Sequence, residues 1–138
     1  MKTYVLSAYL QRFFTEQEAA AMTWMTRYLR DQGYTGMVSN FNNTDLLQAH
    51  ASRAQLDVVI RNSYFASPQN FVKPGATIKQ ISSLEEGALY IQRLATTKYL
   101  DRPFIVSETG QPFWNSWRRE YGVVAPSYAS LQQWDALC

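Results

Sequence analysis

Short apolar runs separated by helix-type stretches are the feature that most constrains the fold of this chain. Three runs predict strands, at about 36–41, at about 57–62 and at 104–107. The stretches between them space their apolar residues at helical intervals, which favours α-helices. Strands that alternate with helices are typical of a parallel sheet with right-handed crossover connections. The sequence therefore predicts an α/β fold, a parallel β-sheet with alternating helices.

Capping and stop residues place the helices. Two capping boxes are present, Thr15 with Glu18 and Ser83 with Glu86. The first box predicts a helix at about 16–32 that Gly33 ends, with a shorter helix in 3–13 before it. The other predicted helices cover 44–55, capped by Thr44 or Asn43, then 84–100, 115–122 and 125–137.

Composition narrows the class of protein. The chain has 138 residues, of which 46% are hydrophobic and 17% are charged, and this is enough for one globular domain over 1–138. The formal net charge is +2 and the 13 Lys and Arg residues are scattered, so no nucleic-acid partner is expected. The surplus of aromatic residues, 14% of the chain, favours a binding groove.

Several kinds of site lack sequence support. Cys138 is the only cysteine, which excludes an intramolecular disulfide and a cysteine metal cluster. No glycine-rich phosphate loop or serine-hydrolase elbow is present, so no cofactor and no metal are predicted. No window approaches the ~18 apolar residues of a membrane span, and the start of the chain lacks a signal-peptide pattern. No membrane partner is expected, and the compartment is not specified.

Polar and aromatic side chains follow each predicted strand. They are Asn40, Asn42 and Asn43 after the first, Asn62 and Tyr64 at the second, and Glu108 and Trp114 at the third. In a parallel sheet the carboxyl ends of the strands meet at one edge, where ligands bind. A long loop over 66–81 also follows the second strand, and long ordered loops often carry function. The sequence therefore predicts one site at this edge.

Three segments resemble one family of enzymes. "FIVSETGQPFWNSWRRE" resembles the seventh strand and following loop of the (β/α)8 (TIM) barrel glycoside hydrolases of clan A, the retaining cellulase and β-galactosidase-like glycosidases. "LDVVIRNSYFASP" is similar to their sixth strand, and "YTGMVSNFNN" to their fifth. The resemblance implies a partial barrel with about strands 5 to 7 and their helices. It also implies a substrate that is an oligo- or polysaccharide, and a parent protein of a kind that is often secreted or periplasmic.

The resemblance assigns roles to individual residues. It implies that Glu108 is the catalytic nucleophile and that Tyr64 orients it. Asn40, Asn42, Asn62 and Trp114 would bind the sugar. The Asn-Glu pair that supplies the acid/base glutamate in the family has no counterpart before residue 36, so the chain resembles a carboxyl-terminal half. We therefore expect little activity from it unless a missing amino-terminal half, or a second copy of the chain, completes the site. Self-association is expected because open parallel edges of a sheet invite pairing.

Other interpretations remain open. A non-catalytic carbohydrate-binding or interaction module could use the same aromatic edge, and in a small regulatory α/β domain Glu108 would be an ordinary surface residue. The asparagines are also typical of turns and caps, and the Tyr64 ring could pack in the core. Residues 118–120, Arg-Arg-Glu, favour a local ion-pair cluster over a site for an acidic sugar.

Overall fold

The computed structural model describes residues 2–43, 46–70 and 73–138. The elements in chain order are α1 (Lys2–Asp31), α2 (Leu47–Arg53), β1 (Val59–Tyr64), α3 (Leu89–Ala95), β2 (Phe104–Gly110), a 3-10 turn (Arg118–Glu120), α4 (Tyr121–Leu131) and β3 (Ala136–Leu137). The strands form a three-stranded parallel sheet in the order β1-β2-β3. The predicted α/β class is confirmed at this level. No described helix is both long and apolar enough to cross a membrane.

Two compact units make up the chain. The first comprises Met1–Ile60 and Tyr99–Pro103, and the second comprises Arg61–Lys98 and Phe104–Cys138. The single domain predicted over 1–138 stays a prediction.

In the first unit, α1 is one continuous helix that packs against α2. The predicted start at Thr15 is wrong, because the Thr15 hydroxyl lies inside the helix and donates to the carbonyl of Gln11 (2.8 Å). A salt bridge between Arg12 and Glu16 joins adjacent turns across the predicted break. The predicted end is confirmed, since Gly33 has φ +85° and its N–H bonds to the Arg30 carbonyl, as in a Schellman motif.

The strand predicted at 36–41 is wrong. Part of the backbone of this segment bonds to side chains, and the Val38 carbonyl accepts from the N–H of Asp57 (3.2 Å), so no strand ladder forms. Arg30 donates to the carbonyl of Gly36 (2.6 Å), and Asp57 accepts from the N–H of Val38 (3.0 Å). The helix that follows is shorter than predicted and has Leu46 at its N-cap position; the predicted cap Asn43 lies in a bend before it, and Thr44 lies outside the described residues.

In the second unit, the second capping box is also wrong. Gly87 and Ala88 both have positive φ, +65° and +52°, so a helix cannot continue through them, and α3 begins only at Leu89. Ser83 and Glu86 instead bond to side chains elsewhere in the unit. The helix predicted over 115–122 is reduced to turns and the 3-10 turn, followed by α4.

The sequence did not predict β3, which replaces the end of the helix expected over 125–137. Asp135 fixes it beside β2, because its carboxylate accepts from the N–H of Phe104 (2.8 Å) while its own N–H donates to the Phe104 carbonyl (3.0 Å). The register pairs Ile105 with Ala136. Trp134 packs edge-on against the buried ring of Phe104, with 5.6 Å between ring centroids. The core of this unit therefore lies directly beneath β2.

Candidate functional site

A tyrosine and a glutamate meet at the carboxyl ends of β1 and β2. Tyr64 is the last residue of β1, and Glu108 lies two residues before the end of β2. The carboxylate of Glu108 lies close enough to the phenol of Tyr64 to raise the pKa of that phenol. Because the strands are parallel neighbours, their ends fall at the same edge of the sheet. The structure thus brings together the two residues predicted from the sequence to act as a pair.

The environment keeps Tyr64 protonated. Burial raises the pKa of Tyr64, and the hydrogen bond to the Glu108 carboxylate and its negative charge raise it further, against a smaller opposing effect from Asn62. A phenol with a raised pKa stays a donor at neutral pH. The contact can therefore hold the carboxylate in one orientation.

Asn62 and Ser107 support this pair. The Ser107 hydroxyl donates to Oδ1 of Asn62 (2.6 Å), and Nδ2 of Asn62 donates to the Tyr64 oxygen (3.4 Å). Asn62 is buried, so its amide serves the network inside the protein. In this geometry the Asn62 amide contacts Ser107 and Tyr64, and its predicted contact with the sugar stays a prediction. Ser107 was not predicted; its place directly before Glu108 was the only sequence signal.

The Glu108 side chain is exposed to solvent. An exposed carboxylate at a sheet edge is accessible to a ligand, and water is not excluded from it by the described residues of this unit.

A cavity of about 310 Å³ in the first unit is lined by Asn42 together with Glu18 and Phe41. Asn40 hydrogen-bonds through its amide to Ser52 and, more weakly, to Glu18 (3.4 Å). These asparagines belong to a segment without strand pairing. Their predicted role at the edge that carries Glu108 stays a prediction.

A cavity of about 530 Å³ in the second unit begins one residue after Tyr64. Its lining includes Phe65, Ser67, Gln69, Thr77 and Lys79. The N–H of Gln69 donates to the Thr77 carbonyl (2.8 Å), which joins two of the residues that line the cavity. Lys79 lies 5.7 Å from the centre of the Phe65 ring. The long loop predicted to carry function therefore encloses space beside the strand end.

The loop after β2 presents aromatic side chains to solvent. Trp114 is 49% exposed and Phe113 is 72% exposed. Asn115 is fully buried and anchors this loop, since its Nδ2 donates to the carbonyls of Lys79 (2.9 Å) and Ile81 (3.0 Å). The Trp114 carbonyl accepts from Gln80 (2.7 Å). The exposed rings are thus carried by a backbone tied to the cavity loop.

Glu120 is not part of an Arg-Glu cluster in this geometry. Its carboxylate accepts from the hydroxyls of Ser82 (2.6 Å) and Ser83 (3.0 Å) and from the N–H of Ser83 (2.9 Å). Arg118 instead donates to the Phe113 carbonyl (2.7 Å) and lies 4.6 Å from the centre of the Phe113 ring. The contact of Glu120 joins two segments far apart in sequence and was not predicted.

The pKa of Glu120 makes folding sensitive to acid. Burial acts to raise this pKa, but the hydrogen bonds from Ser82, Ser83 and Gln111 together hold it below the ordinary value of 4.5. A carboxyl group with a lowered folded-state pKa stabilises the fold above its unfolded-state pKa, and this contribution is lost as the pH falls. We expect the urea midpoint of Glu120→Gln to fall less between about pH 5 and pH 3 than that of the wild type.

Glu85→Gln is the matched control for that measurement, because Glu85 is an exposed glutamate in the same unit. Its urea midpoint should follow the wild type across the acid range. Parallel curves for Glu120→Gln and the wild type would contradict the assignment of the serine contacts to the ionised carboxylate.

No protein-family model, curated protein or solved structure matches this chain. Its function is therefore inferred from the chemistry of its own side chains and from the resemblance of its three segments.

Proposed function

We propose that this chain is the nucleophile-bearing part of a retaining glycoside hydrolase that acts on an oligo- or polysaccharide. Glu108 is the nucleophile and Tyr64 orients it. The observation that carries the proposal is the closeness of the Glu108 carboxylate to the Tyr64 phenol, whose pKa it raises, at the carboxyl ends of adjacent parallel strands.

The chemistry follows from this pair. A carboxylate oxygen of Glu108 attacks the anomeric carbon while the bond from that carbon to the leaving oxygen breaks, which gives a glycosyl ester on Glu108. The hydrogen bond from Tyr64 keeps the attacking carboxylate ionised and aimed. In the retaining mechanism a second carboxyl group, about 5 to 5.5 Å away, protonates the leaving oxygen and then activates water. That group comes from a missing half or from a second copy of the chain.

The connectivity of the sheet supports a partial (β/α)8 barrel. The strands are neighbours in their order along the chain, with α3 between β1 and β2 and with α4 between β2 and β3. Sequential parallel strands joined by helices are the repeating unit of that barrel. In the proposed barrel β1 and β2 are strands six and seven, and β3 takes the place of the eighth.

The surroundings of the pair suit a sugar. Trp114 offers an exposed ring for the apolar face of a pyranose, and Gln69 and Thr77 line the neighbouring cavity with amide and hydroxyl groups that match sugar hydroxyls. The substrate is thus a carbohydrate that extends from Glu108 along these loops.

An activated substrate tests the proposal without the missing acid. A 2,4-dinitrophenyl 2-deoxy-2-fluoroglycoside needs no protonation of its leaving group, because dinitrophenolate is a weak base. The chain is incubated with gluco, galacto and manno forms of this reagent, and its mass is followed. We expect a mass increase of one fluoroglycosyl group, which peptide mapping places on Glu108.

Attachment at another carboxylate, such as Glu120 or Glu85, would argue against Glu108 as nucleophile. The exposed rings of Phe113 and Trp114 favour one alternative, a carbohydrate-binding module without chemistry. That alternative predicts saturable binding of oligosaccharides, measured by calorimetry, with no mass increase under any of the three reagents.

A further inference from the structure

Helix α1 carries apolar residues on two opposite faces. On one face Met22 is buried, and this side of the unit holds the contacts with α2. On the other face, six large apolar side chains are between 48% and 68% exposed: Val5, Leu6, Tyr9, Leu10, Phe13 and Phe14. At 100° per residue these six centre almost directly opposite Met22. A helix that is apolar on both sides is normally buried on both sides.

The exposed side is large enough to matter. With roughly 100 Å² exposed on each of the six side chains, the outer face of α1 presents about 600 Å² of apolar surface, the upper end of what a monomer usually exposes. A standard protein interface takes about 800 Å² from each partner. Trp24, which is 67% exposed, extends the outer face toward this size.

We propose that the outer face of α1 pairs with α1 of a second copy of this chain in antiparallel orientation. Charge complementarity favours a second copy. Arg12 and Glu16 lie on the same flank of the outer face and are both exposed. An antiparallel pair centred on Phe14 places Arg12 of each copy beside Glu16 of the other, twice by symmetry. In a parallel pair the flank that carries Arg12 and Glu16 would face the opposite flank of the second helix, so these two charges would not pair.

Side-chain size favours the same orientation. The outer face is bulky before residue 15, whereas the exposed positions of the next two turns include Ala20 and Ala21. In the antiparallel pair Tyr9 and Leu10 of one copy reach the level of residues 18 and 19 of the other, beside Ala20. Large side chains then meet small ones, which is how packed layers interdigitate. This surface does not include Glu108, so the pairing does not depend on the proposed chemistry.

Sedimentation velocity of the full chain tests the pairing. Between about 1 and 100 µM we expect a concentration-dependent shift from monomer to dimer. The double variant Leu10→Ser with Phe13→Ser should weaken the dimer by at least about 100-fold, because both side chains leave the buried face. The matched control is Leu100→Ser with Phe113→Ser, which removes a leucine and a phenylalanine that lie outside α1 and are more exposed, and it should leave the dimer unchanged.

Charge reversal tests the orientation. Arg12→Glu alone and Glu16→Arg alone should each weaken the dimer by roughly tenfold, since each creates two like-charge contacts. The double variant, with both charges exchanged, should dimerise like the wild type yet form few mixed dimers with it. Circular dichroism at each step confirms that α1 remains helical.

A chain that stays monomeric up to about 100 µM overturns the proposal, whether the face then binds lipid vesicles or a different protein. The antiparallel arrangement is overturned if neither single charge reversal changes the dimer affinity. It is also overturned if the wild type and the exchanged variant form mixed dimers as readily as each forms its own. Loss of the dimer in the control variant points to a surface outside α1 and overturns the assignment to α1.

Discussion

Replacing Glu108 with glutamine is expected to lower covalent labelling by the activated fluoroglycoside by at least about 10³-fold. The amide is close to the carboxylate in size but carries no charge and is a poor nucleophile, so the glycosyl ester cannot form. Oligosaccharide affinity should change little, since the exchange leaves Trp114 and the cavity loop in place. The measurement is the rate of mass increase beside a binding isotherm for the same variant.

Two companion variants sharpen this result. Tyr64→Phe removes the hydrogen bond to Glu108 and should slow labelling by about 10- to 100-fold while the label stays on Glu108. Glu85→Gln, at an exposed site in the same unit, should label at the wild-type rate. If Glu108→Gln labels as fast as the wild type, the nucleophile lies elsewhere and the proposed mechanism fails.

Replacing Phe104 with alanine is expected to destabilise the fold by about 3 to 5 kcal/mol. Phe104 is fully buried at the start of β2, and its ring packs against Trp134. Truncation would leave a cavity under the strand that carries Glu108. Because small domains are stable by only about 5 to 15 kcal/mol, the urea midpoint should fall steeply and part of the population should be unfolded at 37 °C.

Phe113→Ala is the matched control for this measurement. Phe113 is the same residue type but is largely exposed, with only the Arg118 guanidinium over its ring. We expect its free energy of unfolding, determined from urea titration, to change by less than about 1 kcal/mol. Equal losses in the two variants would contradict the placement of Phe104 in the core of the second unit.

The sequence predicted the two longer strands of the sheet. The runs at 57–62 and 104–107 correspond to β1 and β2, with boundaries shifted by a few residues. The run at 36–41 has similar composition but is not a strand, because Arg30 and Asp57 bind its backbone groups. Side chains distant in sequence made that choice, and hydrophobic periodicity carries no information about them. Both capping boxes failed for a related reason, since their polar side chains found other partners.

The contacts of the candidate site likewise divide into those that the sequence predicts and those that it does not. Contact between Tyr64 and Glu108 follows from two predictable facts, that each lies at a strand end and that consecutive parallel strands are neighbours. The contacts of Asn62 with Ser107, and of Glu120 with the two serines, depend on register and on loop paths. A shift of one residue along a strand would exchange these partners, so pattern alone could not identify them.

The buried amide of Asn115 links the loop after β2 to the loop after β1. Its side chain donates to the carbonyls of Lys79 and Ile81. The loop after β2 therefore cannot move away without breaking hydrogen bonds to the loop that lines the 530 Å³ cavity. A saccharide that orders one of these loops would therefore slow hydrogen exchange in both loops.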